Sequence, residues 1–548
     1  MSVERPSLLL RLGRESFFAA LAGASLALLL LRARPAWTHA VIGGGDAWQN
    51  LWNLHHVDRV LRTGGSLWQT DRLWAPEGCS LYAHTLSLTN SLPGALLARA
   101  TGFFAAYNAL VVLAFTLAFA SLYRLARRLG AGPLSAAAGA AVFAFAPPHF
   151  ARALGHLNLL GTGWIPLSLE ALFVASRSAG AKRWGAAVLA GAALAALAFT
   201  DWYLALLGAL AAACFAVLEI VRAGRGQRAV RAAAFGLAAA LSLAACFPAV
   251  RSLARAASSG TGGHEPKWCS TALTSLVVPS RIQLASALTP ALTERNHQNL
   301  AEGAGYLGLV PLLALLVILR DRRRRDIDFA LLAGGIALVL SLGPQPRVFD
   351  RLLDVPLPWA GLARIFPALD FGGCVNRFEV LAFLPLALAT ALASERLLAR
   401  GTRDRQGHRP RGRAISRGRI RAARPGRDGV AVRGRRSRAH GHCPRETGRR
   451  SHRGSRRRSG SRRAHPAAGS RQGADLRLPL ARARDPARGA AKRSRHRPSP
   501  RSRPHEPGPE GRRRRVAQAS VARRLRPRAG RVARARDSGA PRLRPDGI

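Results

Sequence analysis

The chain has little of what a soluble catalytic domain is built from. Its 548 residues include 29 Asp and Glu against 83 Lys and Arg, with 6 Cys, 5 Tyr and 1 Met. Cys79, Cys214, Cys246, Cys269, Cys374 and Cys443 form no CxxC and no metal-ligand spacing, which excludes the zinc-finger and ribbon classes. Gly43-Gly44-Gly45 is a glycine run without a following Lys-Ser/Thr, so it is not a phosphate loop. Nucleotide fingerprints and Ser/His/Asp arrangements are missing as well. The scarcity is sharpest from Gly401 to Ile548, where there is no Phe, Trp, Tyr, Asn or Met and a single Lys.

What is present is apolar sequence in long runs. Hydrophobic residues make up 48% of a chain whose net charge is +54, and the two properties occupy different stretches. About 47 of the 83 basic residues follow Arg400. The chain therefore reads as two polymers: a multi-spanning membrane domain over 1–400 and an Arg-rich tail over 401–548. Ten apolar windows fall near Ser16 to Leu31, Phe103 to Leu122, Leu134 to Phe145, Ile165 to Ala175, Ala186 to Phe199, Leu204 to Val221, Ala232 to Val250, Tyr306 to Leu319, Phe329 to Leu342 and Phe378 to Ala393. Such a pattern predicts an all-α integral membrane protein of about ten transmembrane helices. A cleaved signal peptide is the alternative for the first window.

Basic residues resist translocation and mark the cytoplasmic side. With Arg5, Arg11 and Arg14 inside, the even-numbered spans end at Arg124/Arg127/Arg128, at Arg177/Lys182/Arg183, at Arg222/Arg225/Arg228, at Arg320 to Arg325, and at Arg396/Arg400. Arg32 and Arg34, just outside the first span, run against this register. The expected setting is a bacterial plasma membrane, with a cytoplasmic N-terminus and an active face outside. Three loops are then external: Arg34 to Thr101, Arg251 to Gly305 and Gly343 to Arg377. They contain Cys79, Cys269 and Cys374, where either disulfides or free thiols are compatible with the compartment. In the first loop, Trp48, Leu51, Trp52 and His55 stand at helical spacing, as in a helix lying in the membrane interface.

The tail lacks residues with A/T-rich codons and abounds in Arg, Ala, Gly, Pro, Ser and His, so it reads as GC-rich DNA translated out of frame. The rival reading is a disordered basic arm that attracts RNA or anionic lipid. No specific nucleic acid is expected, because the Arg runs have no aromatic interleaving.

One span followed by Gly-Gly-Asp46-x-x-Gln49-Asn50-x-Trp52, then Thr70 to Pro76-x-Gly78 and Tyr107-Asn108, resembles bacterial membrane proteins of the GT-C glycosyltransferase superfamily. Gly155-His156-x-Asn158, Trp164-Ile165-Pro166-Leu167, Glu302-x-x-x-Tyr306-Leu307-Gly308 and Asn376-Arg377-Phe378 extend the resemblance over residues 10 to 395. It implies a GT-C-like bundle that takes a sugar from a polyprenyl-phosphate donor and passes it, with inversion, to an acceptor on the outer face. It also implies that Asp46 serves as base or metal ligand. Where many relatives carry two adjacent acids, this chain has Asp46-Ala47, and no clear ligand set for a divalent metal follows.

The residues have readings of their own. A carboxylate beside three glycines, where a span meets an interfacial helix, is placed to take a proton from an acceptor hydroxyl; the plain alternative is a helix N-cap. Arg364 and Arg377 suit a phosphate because a guanidinium fork matches its oxygens, while Arg377 alternatively anchors its own span. His156 and Glu302 are candidates for substrate binding, and an interfacial histidine and a loop acid are their plain counterparts. His55 and His56 lack a third ligand. Glu170 is expected to be functional or paired with an Arg at the cytoplasmic end, and Asp201 to be a turn residue. The partners expected are the bilayer and a lipid-linked sugar; no oligomeric state follows. The competing functions are a lipid-linked glycan transporter or flippase and a non-catalytic membrane scaffold.

Overall fold

In the computed structural model the described residues are 8–31, 35–82, 84–258, 263–296, 302–366 and 372–407. The tail beyond 407, with Cys443, lies outside them, as do Arg5, Arg32 and Arg34. The architecture is all-α. The helices are α1 (Leu8–Leu30), α2 (Ala47–Thr63), α3 (Leu88–Thr101), α4 (Phe103–Arg128), α5 (Pro133–Ala144), α6 (Pro147–Arg152), α7 (Trp164–Arg177), α8 (Gly180–Thr200), α9 (Trp202–Val221), α10 (Arg225–Ser258), α11 (Pro290–Arg295), α12 (Leu309–Leu319), α13 (Asp328–Ser341), α14 (Pro358–Ile365) and α15 (Phe383–Gly407). Two two-residue hairpins, Gln69–Thr70 with Cys79–Ser80 and Arg347–Val348 with Arg351–Leu352, are the strands found among the described residues.

Among the described residues seven helical stretches are long and apolar enough to cross a bilayer: Gly13–Leu30, Phe103–Arg128, Leu157–Arg177, Gly180–Thr200, Trp202–Val221, Arg225–Ser252 and Val375–Arg400. Three shorter apolar helices, α5, α12 and α13, complete the set. All ten sequence windows thus fall on helices. Several helix starts are set by proline, which fits a first turn because its missing N–H would lack a helical partner there. Pro133, Pro147 and Pro358 open α5, α6 and α14, while Pro166, Pro311 and Pro385 sit within the first turns of α7, α12 and α15. Pro385 accounts for the offset at the tenth window, where Val375–Ala382 is a 3-10 turn and the α-helix begins only at Phe383. At its other end α15 runs through Gly407, past the compositional boundary at Arg400, since propagation beyond a formed helix adds a hydrogen bond per residue fixed.

The main core joins α4, α5, α7, α9, α13 and α15 through Phe119, Phe143, Leu169, Leu207, Phe329 and Leu384. Without a hydrophobic drive between helices in lipid, close backbone approach through small residues does the packing. A Cβ on Gly139 of α5 would stand 2.5 Å from the Ala387 carbonyl of α15. A smaller core under α2, α3 and α4 is built on Leu54, Tyr107 and Leu110, and Asp58 of α2 ties α2 to α3 through Arg99 at 2.9 Å.

The five basic clusters converge at one end of the bundle. Glu170 of α7 takes Arg124 at 2.7 Å and Arg128 at 3.1 Å, which realises the expected pairing with arginine. Arg127 holds Glu15 of α1 at 2.9 Å, Glu219 holds Arg177 and Arg231, and Arg222 pairs with Asp328 and Arg396 with Asp321. The loops at the opposite end bring together the polar residues described next.

Candidate functional site

Asp46 and His156 are 110 positions apart and meet because two tight turns interlock. The Gly44 N–H donates to the Leu154 carbonyl at 2.9 Å, and the Asn50 side-chain amide donates to the Gly155 carbonyl at 3.0 Å. A Cβ on Gly43, where φ is +91°, would stand 2.6 Å from the Leu154 carbonyl carbon, and one on Gly155 would stand 2.5 Å from the Gly44 carbonyl oxygen. Glycine is required at Gly43 both by conformation and by space.

The consequence is a side-chain pair: His156 Nε2 lies 3.2 Å from Asp46 Oδ2. Asp46 occupies the N-cap position of α2 but makes no side-chain cap bond. Its carboxylate turns to the histidine instead, and with 59% of the side chain exposed it remains open to a ligand. Burial holds His156 below the usual histidine range, with Arg152 and Arg377 acting the same way against Glu302 and Asp46. His156 is therefore neutral near pH 7, with Nε2–H placed to donate to the carboxylate.

Behind the histidine stands a buried ionic array. Glu302 Oε2 accepts from Arg152 at 2.6 Å and Glu302 Oε1 from Arg377 at 3.2 Å, while the Asn376 side chain donates to the Glu302 carbonyl at 2.6 Å. Burial alone would raise the Glu302 carboxyl, but Arg152 and then Arg377 outweigh it and hold the group well below the carboxylate range. The Arg377 guanidinium also lies 4.9 Å from the centre of the Tyr203 ring. It is thus tied to Glu302 rather than extended as a lone anchor. Asp201 accepts from the Tyr203 N–H at 2.8 Å and from the Asn158 amide at 2.7 Å, capping α9 as a turn residue. Arg152, Asn376, Arg377 and Tyr203 line a void of about 10 Å³, room for one water.

The remaining candidates stand elsewhere. Arg364, on α14, lines a separate cavity of about 370 Å³ with Glu265, Lys267 and Trp359, and is not brought to Asp46. His55 stacks on Phe103 and His56 on Trp52, so neither joins a ligand set. Among the described residues, the group of three His, Cys or carboxylate donors close enough to share an ion is Cys269, Glu302 and Cys374. Among the described residues Asp46 has His156 beside it and no third such ligand, so those residues do not fit a divalent metal at Asp46. Arg152 was not singled out by the sequence reading; its signal is a lone charge between apolar runs in Pro147-Pro148-His149-Phe150-Ala151-Arg152.

Residues 17–395 match the family described as Domain of unknown function (DUF6311). The chain belongs to that family. The matched stretch contains the whole Asp46–His156–Glu302 site and stops short of the Arg-rich tail. No curated protein matches the chain. Among solved structures it is similar to the archaeal oligosaccharyltransferase AglB from Archaeoglobus fulgidus, solved in complex with an inhibitory peptide and a dolichol-phosphate. The TM-score is 0.39 and the identity 14%, covering 71% of this chain and 51% of that one. The chain spans about half the length of that protein.

Proposed function

We propose that this DUF6311 chain is a membrane glycosyltransferase that moves a sugar from a polyprenyl-phosphate-linked donor to an acceptor hydroxyl on the extracytoplasmic face, with inversion. The observation that carries the reading is the exposed Asp46 carboxylate held by neutral His156 at the end of the bundle away from the basic clusters. The resemblance of the motifs around Asp46, His156, Glu302 and Arg377 to those of GT-C enzymes supports the donor class.

Asp46 is the base. The acceptor oxygen attacks the anomeric carbon from the face opposite the phosphate, its proton passes to Asp46, and the carbon–oxygen bond to phosphate breaks to release polyprenyl phosphate. His156 donates to the carboxylate and fixes its direction. The Arg152–Glu302–Arg377 array lies within electrostatic reach of that histidine and supplies the positive field toward which departing phosphate charge is drawn. No step passes through a metal.

Membranes carrying the intact protein should transfer label from a polyprenyl-phosphate sugar, and Asp46→Asn should lower the rate by about 10²–10⁴-fold at equal protein level. Equal transfer by both proteins removes Asp46 from the mechanism.

A further inference from the structure

Two thiols face each other beside the ionic array, and the proposed transfer chemistry uses neither. The Sγ atoms of Cys269 and Cys374 and a carboxylate oxygen of Glu302 lie within 4.8 Å of one another. The backbone enforces the approach. The Cys374 N–H donates to Tyr203 Oη at 3.0 Å, and the Asn376 N–H donates to the Cys269 carbonyl at 3.1 Å. A Cβ on Gly372 would overlap the Tyr203 hydroxyl, and one on Gly373, where φ is +66°, would overlap the His264 carbonyl. On the other side, the Thr271 N–H donates to the Ser341 carbonyl at 2.8 Å. Segments 264–271 and 372–376 are thus clamped together with their two sulfurs inside the clamp.

Two occupants suit such a donor set: a thiophilic cation, or a bond between the sulfurs. The first would place a dication next to a carboxylate already taken by two guanidiniums, Arg152 and Arg377, where like charges repel. A disulfide brings in no charge.

We propose that Cys269 and Cys374 are a redox-active dithiol that closes to a disulfide by exchange with a low-molecular-weight disulfide such as oxidised glutathione, covalently joining the 264–271 segment to the entry of α15. Cys269 is the partly exposed member and Cys374 the buried one, so the oxidant reaches Cys269. Hydroxide from solvent takes the Cys269 proton as Cys269 Sγ attacks the oxidant and expels one of its sulfurs as thiolate, which is protonated by water. Cys374 in turn gives its proton to solvent. Cys374 Sγ then attacks Cys269 Sγ, the mixed disulfide breaks, and the second oxidant sulfur leaves. One protein S–S bond has formed, the oxidant's S–S bond has broken, and two electrons have passed to the oxidant. The order of attack is set by access, and the local field suits Cys374 to the second step: the hydrogen bond from Cys269 foremost, then Arg377 and Arg152, draw the Cys374 thiol below its ordinary value against burial and Glu302, while Cys269 is raised.

The test uses the full-length protein in detergent, incubated with oxidised glutathione, quenched in acid, alkylated with a maleimide and digested without reductant. A linked peptide containing Cys269 and Cys374, lighter by two hydrogens than the two thiol peptides together and split by dithiothreitol, is the expected result. The oxidised protein should also unfold at a higher temperature, because the bond closes a long loop. Cys269→Ser and Cys374→Ser should each abolish the linked peptide, and the wild-type measurement stands without them should a variant fail to fold. Separate maleimides on both cysteines after oxidation overturn the inference. So does protection of both thiols that is released by a chelator and not by dithiothreitol, which would assign the site to a metal. The linkage is read by mass and the transfer reaction by label, so the inference stands whichever way Asp46→Asn behaves.

Discussion

At Asp46 the local chain and the tertiary packing call for different things. An Asp directly before a helix ordinarily accepts from the second or third N–H of that helix. Here the side chain has been drawn to His156, and the Asp46 carbonyl accepts from both the main-chain N–H and the side-chain amide of Asn50. Asp46, His156, Glu302 and Arg377 are each legible in the sequence as polar residues at the ends of apolar runs, but the pairing was not, because each contact spans from 75 to 150 positions. Arg152 was missed for a related reason: nothing in its own helix reveals that a carboxylate from 302 will reach it. The depressed histidine gives a signed prediction. The folded value of His156 lies below the unfolded one, so the unfolded chain takes up a proton first as pH falls. The stability that comes from keeping it neutral is present above about pH 6.5 and lost as the pH drops through the folded value. The melting temperature in detergent should fall more steeply from pH 7 to pH 5 for wild type than for His156→Gln. Transfer by wild type, in turn, should show no break at about pH 6.5; a break there would mean that His156 titrates as a free histidine.

Among the elements, the glycine run before α2 separates conformation from chemistry. Gly43 is pressed against the Leu154 carbonyl with φ at +91°, whereas a Cβ on Gly44 would meet nothing within 4 Å. Gly43→Ala should lift the 43–46 turn off the 153–155 turn, part Asp46 from His156 and lower transfer by about 10²-fold, as a displacement near 1 Å is able to do. Gly44→Ala should stay within about twofold of wild type. Comparable losses in both variants would show that the interlocking of these turns does not set the site. The same local logic made element positions legible: apolar length placed the helices and proline placed several starts. Less legible were α11, α14 and the 3-10 turn Val375–Ala382, which lack a bilayer-length apolar run and take their places from contacts distant in sequence.

For the molecule as a whole, the basic clusters gather at one end and the candidate site forms at the other. We infer that the basic end is cytoplasmic, as retention of Arg and Lys dictates. In intact cells, Leu284→Cys, a position 95% exposed at the site end, should react with an impermeant maleimide above the wild-type background. Arg322→Cys should react only after permeabilisation; the reverse pattern would invert the topology and place the site inside. From residue 401 on we propose that the Arg-rich tail is out-of-frame translation. Sequencing the DNA across codons 380 to 420 should reveal another frame that continues with apolar codons. Detection of tail peptides from a confirmed frame would establish a basic arm instead.

By itself the sequence determined that the chain is a membrane-spanning helical protein, where its ten apolar helices lie, and that its charge is segregated. These properties depend on runs of neighbours and on the transfer of side chains between water and hydrocarbon, which act locally along the chain. Only the tertiary structure decided that Asp46 meets His156, that Glu302 is shared by Arg152 and Arg377, and that Cys269 and Cys374 lie together. Those pairings depend on which turns interlock at one end of the bundle, and that is settled by close backbone packing at Gly43, Gly155 and Gly373 between segments far apart in the sequence.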